Sequence, residues 1–473
     1  MAAGNSVPNV KGAGGKHGIF VVLLLACMVC SFLQTALNTA IPVIMGDFQI
    51  TASTAQWLTS AYSLTMGIMI PATAFLIRRF SAKKLFFIFM PCFTIGALLS
   101  ALAPSFPALM LGRVLQAIGC GVLLSLTQVI TLTIYPAEKR GTMMGIYGLA
   151  VGAIPVFSPT LSGFIVDSMG WHVIFWITAI LGGVILLVGA KLVSSPLETV
   201  KQRFDTISMA LCAMGFGGVT LGLGNISAHN YISIAIPLIV GCASLVLFAV
   251  RQLRMEAPFL DVRLLKNREL RLSIIGSMLM YCAMIAGSTL LPIYLQRMRG
   301  YSAAISGLVT MPGSLVMAVI SPFAGRIYDK VGIRKLLYIG SALLTVSCAG
   351  LCLLTDNTSV VYIAAMFFLR LLAIGLMMMP LATWGLSTTP RSSTASGTAL
   401  ITSLRTIAGS IGSAVFVALM SSVSSTGSNI DPIHGVNVSF IGITAVSAVL
   451  LATSLIFVRK QRAGVSGLKK FAN

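Results

Sequence analysis

Arg113 and Gln116 lie three residues apart within PALMLGRVLQAIGCGVLLSLTQVITL, residues 107–132, an apolar run long enough to cross a bilayer core. A guanidinium on a spanning helix costs at least ~2.5 kcal/mol, so it normally faces a bundle interior or a watery cavity. There it can act as a fixed positive charge that orients a ligand, or it can bond backbone carbonyls and tie helices together. Arg370 and Arg405 pose the same choice in later apolar runs. Gln34 and Asn38, one helical turn apart, project to one face and offer donors and acceptors to a ligand or to a neighbouring helix. Tyr281 and Met377, the latter opening a run of three methionines, suit either a pocket that adapts to varied apolar ligands or ordinary packing. All of this is binding chemistry. The eleven Asp and Glu avoid the middles of the apolar runs, and the four histidines lack metal spacing. The nine cysteines sit inside apolar runs as small hydrophobes, and no GxxxxGK[ST] pattern occurs. Neither catalysis nor a cofactor or metal is expected.

The elements that position these residues follow from composition. A chain of 473 residues that is 57% hydrophobic and 9% charged, with mean hydropathy +0.96, departs far from soluble proteins, in which charged residues make up about 25%. Its apolar stretches are continuous and of spanning length, which excludes a β-barrel of short alternating strands and leaves an all-α polytopic membrane protein. Hydropathy marks fourteen spans, near 18–45, 55–77, 85–103, 107–132, 143–166, 172–192, 207–224, 232–250, 272–295, 304–324, 336–354, 360–385, 397–422 and 439–458.

An even number puts both termini on one side. Of 32 Lys and Arg, 27 fall on that side, only Arg297 and Arg299 fall opposite, and three lie within spans. By the positive-inside bias both termini are cytoplasmic, in a plasma membrane. The net charge of +21 is thereby topological, spread over short loops, and implies no nucleic-acid partner. Residues 1–17, polar and Gly-rich, read as a cytoplasmic tail before a retained first helix rather than as a signal peptide.

The chain is doubled. AFLIRRFSAKK (74–84) and GRIYDKVGIRK (325–335) match in length and in their basic residues, and each follows a proline, Pro71 or Pro322. At the same offset Arg370, Ala373 and Gly375 echo Arg113, Ala117 and Gly119 with a one-residue slip. This predicts an N-terminal six-helix half at 18–193, a linker with two inserted helices at 194–255, a C-terminal six-helix half at 256–459 and a cytoplasmic tail at 460–473.

These residues resemble the major facilitator superfamily, and within it the fourteen-span drug:proton antiporters, nearest the lincomycin-resistance type of exporter. Gly325, Asp329, Gly332, Arg334 and Lys335 fit the cytoplasmic signature; GRVLQAIGCG (112–121) resembles the fourth-span signature, and GLAVGAIPVFSPTLSG (148–163) the fifth-span antiporter signature. The first copy departs from the cytoplasmic signature, with Arg78 and Arg79 where the second has its acid and neighbour. The resemblance implies gating by Arg78, Arg79, Arg140, Gly325, Asp329, Gly332 and Arg334 at the cytoplasmic side, and by Gly152, Pro155, Pro159 and Gly163 along a helix that kinks against the other half. It implies proton exchange, for which Asp47 and Asp167, at outer ends, are the nearest acids. The expected activity is secondary export of amphipathic compounds by a monomer with alternating access. An exporter or flippase of an anionic lipid or conjugate, weakly coupled to protons, is the alternative that buried arginines without carboxylates favour.

Overall fold

The structure, a computed structural model, describes residues 15–135, 137–193, 205–228, 231–255, 258, 260–387, 389, 394–424 and 432–461. The chain is helical throughout: α1 (Gly15–Asp47), the single turn α2 (Ala52–Ala55), α3 (Trp57–Arg79), α4 (Ala82–Ala101), α5 (Phe106–Ile134), α6 (Ala137–Met169), α7 (His172–Leu192), α8 (Thr206–Gly224), α9 (Tyr231–Arg254), α10 (Arg268–Ile293), α11 (Ala303–Gly350), α12 (Val360–Ser387), α13 (Thr394–Ser424) and α14 (Pro432–Gln461). Among the described residues, twelve helical stretches are long and apolar enough to cross a bilayer, the two arms of α11 counting separately. In lipid no water satisfies a free backbone amide or carbonyl, and a helix of this length satisfies nearly all of its own. For the same reason Pro42, Pro91, Pro155, Pro159, Pro237 and Pro380 are carried inside helices.

Two of the hydropathy boundaries move. The polar stretch 325–335, expected as a loop between two spans, is helical on both sides of a single break at Gly332, where φ is +75°. A side chain at that angle would be strained, so glycine is what lets α11 turn back there. Beyond Pro292, α10 continues as a π-helical turn, Tyr294–Met298.

Helices α1 and α3 to α7 gather around one apolar core containing Leu33, Phe86, Phe93, Leu123 and Phe175. Helices α10 to α14 gather around another, containing Met280, Leu290, Leu344, Phe367 and Phe440. The two bundles meet along two seams, α3 with α13 and α6 with the first arm of α11. Helices α8 and α9 pair through glycines: a Cβ on Gly218 would lie 2.8 Å from Gly241 Cα, so the backbones touch. We call the face where α1 begins and α14 ends the near face, and the opposite one the far face.

At the near face the α8–α9 pair is clasped by Arg251, whose Nη2 donates to Asp205 Oδ1 at 3.0 Å and whose Nε donates to Oδ2 at 3.3 Å. Asp205 also caps α8 by accepting from Ser208 N. Burial raises the Asp205 carboxyl, but the bonds from Arg251 and Ser208 outweigh it and hold the group below its ordinary value of 3.8. A depressed carboxylate stabilises the fold above its unfolded value, and the stabilisation fades as pH falls through the lowered one. Asp205→Ala is expected to lose ~1–2 kcal/mol at pH 7 and nothing once acid has protonated the group. Thermal midpoints of the purified protein from pH 7 downward check this; a loss that does not shrink as the pH falls through the lowered value would refute the clasp.

Candidate functional site

Arg113, on α5, is fully buried and held on three sides. Its Nε donates to Leu58 O of α3 at 3.2 Å, its Nη1 to Gln116 Oε1 at 2.8 Å, and its guanidinium lies 4.0 Å from the centre of the Tyr62 ring. Gln116 passes the tie on, its Nε2 donating to Gly96 O at 2.9 Å and to Ser100 Oγ at 2.8 Å on α4. Gly96 and Gly112 permit this: a Cβ on either would stand 2.7 Å from the other's carbonyl oxygen. Arg370 is buried in the other bundle, its Nη2 donating to Ala283 O and to Met284 O of α10. The space for that guanidinium exists because residue 287 is glycine. Both guanidiniums thus bond helix backbone, while Arg113 Nη2 and Arg370 Nε and Nη1 are buried without a hydrogen bond among the described residues. Met377 also faces inward to protein, packed on Gly340 and 1% exposed.

Arg405 differs. It is half-buried on α13, stacks its guanidinium 5.6 Å from the Tyr281 ring, and makes no hydrogen bond among the described residues. Gly409, one turn on, leaves room for the Tyr281 ring. Ser403 and Ile407, two residues either side of Arg405, lie against Gly67 of α3, so the pair stands beside the seam where the two bundles meet. Gln34 and Asn38 on α1 are likewise half-buried and without a hydrogen bond among the described residues. Two free amides, one cation on an aromatic ring and apolar surroundings can hold a ligand with a polar head and an apolar body.

The far face is closed across both seams. Gln56 Nε2 donates to Ser413 Oγ, Ser60 Oγ to Ser410 O at 3.2 Å, and Ser410 Oγ returns to Ser60 O at 2.6 Å. On the other seam Thr160 Oγ1 donates to Gly307 O at 3.1 Å. Asp167 accepts from Ala303 N at 3.0 Å and Ala304 N at 2.7 Å, a carboxylate capping the first turn of α11 where the helix dipole favours it. Between these contacts Gly163 lies against the Ala303 backbone and Gly307 against that of Pro159. The structure thus brings Pro159, Gly163 and Asp167 together. Asp47 stands apart, accepting from Trp171 Nε1 at 2.7 Å within its own bundle. Gly307 and the Ser60–Ser410 exchange were missed in sequence, since nothing in SAAISGLVT or SLRTIAGS marks which helix will lie opposite.

At the near face Arg79 is exposed over the Phe80 ring, Arg334 is half-buried, and Gly325 and Gly332 have open space around them. Pro155 is half-buried on α6. Arg78, Arg140, Gly152 and Asp329 are helical, but their surroundings lie outside the described residues.

The family model for the Major Facilitator Superfamily matches residues 23–413. A Bacillus subtilis protein, "Uncharacterized MFS-type transporter YcnB", is 36% identical over 93% of this chain and 95% of its own length. Lincomycin resistance protein LmrB of the same organism is 35% identical over 85% of each chain. Among solved structures, a POT family transporter in complex with a thioalcohol-conjugated peptide superposes with a TM-score of 0.72 at 17% identity, covering 94% of this chain and 96% of that one, a likeness of fold.

Proposed function

Since this chain belongs to the Major Facilitator Superfamily, we propose that it exports amphipathic compounds across the plasma membrane by alternating access, in exchange for protons. In this reading α3 and α6, of 23 and 33 residues, join the twelve apolar stretches as spans to make fourteen, with α8 and α9 inserted between halves at 18–193 and 256–459. The near face is cytoplasmic, as the loop charges require. The observation that carries the proposal is the set of unbonded polar groups, Gln34, Asn38 and Arg405, between two bundles that are latched at the far face. Polar groups left unsatisfied behind a closed far face suit loading from the cytoplasmic side before export. The 35% identity to a lincomycin resistance protein supports a drug-like cargo.

Proton exchange fits Asp167 better than Asp47, because only the former bridges the halves. Loss of the carboxylate charge on Asp167 would weaken its hold on the α11 terminus, so protonation there is tied to the opening and closing of the far face. The anionic-lipid alternative draws less support, because two of the three arginines it relies on are engaged by backbone carbonyls.

The test is substrate-driven pH change in vesicles holding the purified protein. The parent is expected to move protons against an alkyl-aromatic drug, and the double variant Gln34→Leu, Asn38→Leu to export it about tenfold less well, each lost hydrogen bond being worth ~0.5–1.5 kcal/mol. Arg405→Gln should improve export of a dication relative to a neutral amphiphile. At an effective dielectric of ~20 and ~8 Å, one like-charge pair costs roughly 2 kcal/mol. No substrate-linked proton movement by the parent would sink the coupling, and unchanged selectivity in Arg405→Gln would remove that residue from the site.

A further inference from the structure

The two seams between the bundles differ in what covers them. On α3 and α13 no described large apolar side chain is exposed. On α6 and α11, Phe157, Leu161, Phe164, Leu308, Leu315 and Val319 are each 44% exposed or more. The difference is made by α8. Its Cys212 is buried in one cluster with Leu64 and Ile68 of α3 and Leu400 and Ile407 of α13. Nearer the cytoplasmic end Met209 packs on Met69 and Ala72. At the far end Gly224 sits astride the seam, where a Cβ would lie 3.2 Å from Trp57 and 3.6 Å from Ala414, and its carbonyl accepts from Ser53 Oγ at 3.5 Å. Helix α8 thus runs along the α3/α13 seam through the depth of the membrane, and α9 turns the lipid-facing apolar surface outward through Ile236, Ile239 and Leu247.

We infer that α8 and α9 seal one of the two seams against lipid, so that cargo dissolved in the cytoplasmic leaflet enters only through the other, between α6 and the first arm of α11. The inter-bundle contacts described on that seam cluster at 159–167 and 303–307, toward the outside. Toward the cytoplasm it is bordered by the half-buried Val151, Ile154, Pro155 and Met317, continuous with the exposed strip of Phe157 and Leu315. Helix α1, which carries the free amides, stands directly behind it. Its Phe32 carbonyl accepts from Ser158 Oγ of α6 at 2.8 Å and its Thr39 hydroxyl bonds Ser162 of α6 at 2.6 Å, while Gln34 and Asn38, at ~100° per residue, turn to a different face of the same helix. An alkyl or aromatic tail passing from lipid between α6 and α11 therefore arrives at α1, and its head meets the amides by passing round that helix toward the interior, while its tail stays in apolar surroundings. The occupant of this path is a single-tailed amphiphile.

This rests on the export reading for its cargo, but its test is separable. The full chain in phospholipid vesicles is irradiated with a neutral alkyl amphiphile bearing a diazirine on its tail, with and without excess of the same amphiphile lacking the diazirine. Adducts are mapped by mass spectrometry. Adducts suppressed by competitor are expected at 150–157 and 314–321; suppressed adducts on α3, α8 or α13 would overturn the inference, as would none suppressed on α6 or α11. A second measurement uses Ile154→Trp, with its thermal midpoint checked against the parent. Export of a long-chain, bilayer-partitioned homologue of a fluorescent alkyl dye should fall tenfold or more, with little change for a short-chain, water-soluble homologue; equal losses in a folded variant count against the lateral path. If the parent exports neither dye, the export reading fails, and the adduct map still decides the route.

Discussion

Gly163→Leu is expected to lower transport at least a hundredfold while the protein still folds. A Cβ at this position would stand 2.8 Å from the carbonyl carbon of Ala303 and 2.9 Å from Ala304 Cα, and the obstacle is backbone, which cannot swing aside as a side chain can. The reciprocal contact at Gly307, against Pro159 and Thr160, makes the two helices interlock, so no small shift relieves one clash without worsening the other. Each half retains its own apolar core, into which only Ala303 among the buried members reaches across the seam. The penalty therefore falls on the closed far face alone, at ~3 kcal/mol or more for overpacking a tight contact. The variant should rest with that face open. Labelling of Ser413→Cys from outside by an impermeant maleimide should be slow in the parent background and fast with Gly163→Leu. Parental transport in the variant would show that this contact is not part of the cycle.

Arg113→Gln is expected to damage stability more than selectivity. The substitution withdraws the donors to Leu58 O and Gln116 Oε1 and the cation over Tyr62 in a region with no exposure to water. Removing one member of a buried charged network costs on the order of 3–5 kcal/mol. Lysine should not rescue it, because a single ammonium cannot span the two acceptors in different directions. The checks are the thermal midpoint in detergent and competition between a dicationic dye and a neutral amphiphile. A midpoint close to that of the parent, with a large gain in dication export, would reverse the assignment and make Arg113 the charge that faces cargo.

The contrast between Arg113 and Arg405 shows where reading the chain alone reaches its limit. Length and apolarity of the runs suffice to recognise the helices, because lipid leaves the backbone no other solution. Pro159, Gly163 and Asp167 could be picked out by their resemblance to a signature. Whether a guanidinium in such a run meets carbonyls or a cavity depends on which helix lies opposite. Leu58, Ala283 and Met284 advertise nothing, and Gly287 looks like any other glycine until Arg370 is found lying against it. Met377 was ambiguous for the same reason: Gly340, which receives it, is 37 residues away. The continuous helix through 325–331 escaped because hydropathy sees polarity, and a polar segment outside the bilayer can be helix as readily as loop.

The three guanidiniums among the helices lead us to expect that the protein is sensitive to voltage. They are fixed charges in the region where the transmembrane potential drops, and the sequence places no carboxylate there to cancel them. Moving one charge through the whole field is worth ~2.3 kcal/mol per 100 mV, so each tenth of the field that a rocking half carries an arginine through is worth ~0.2 kcal/mol. With the cell interior negative, the membrane potential pulls these charges inward and, under the alternating access proposed above, would weight the two orientations unequally. A de-energised vesicle and a polarised one should then differ in resting conformation before any cargo or proton has bound.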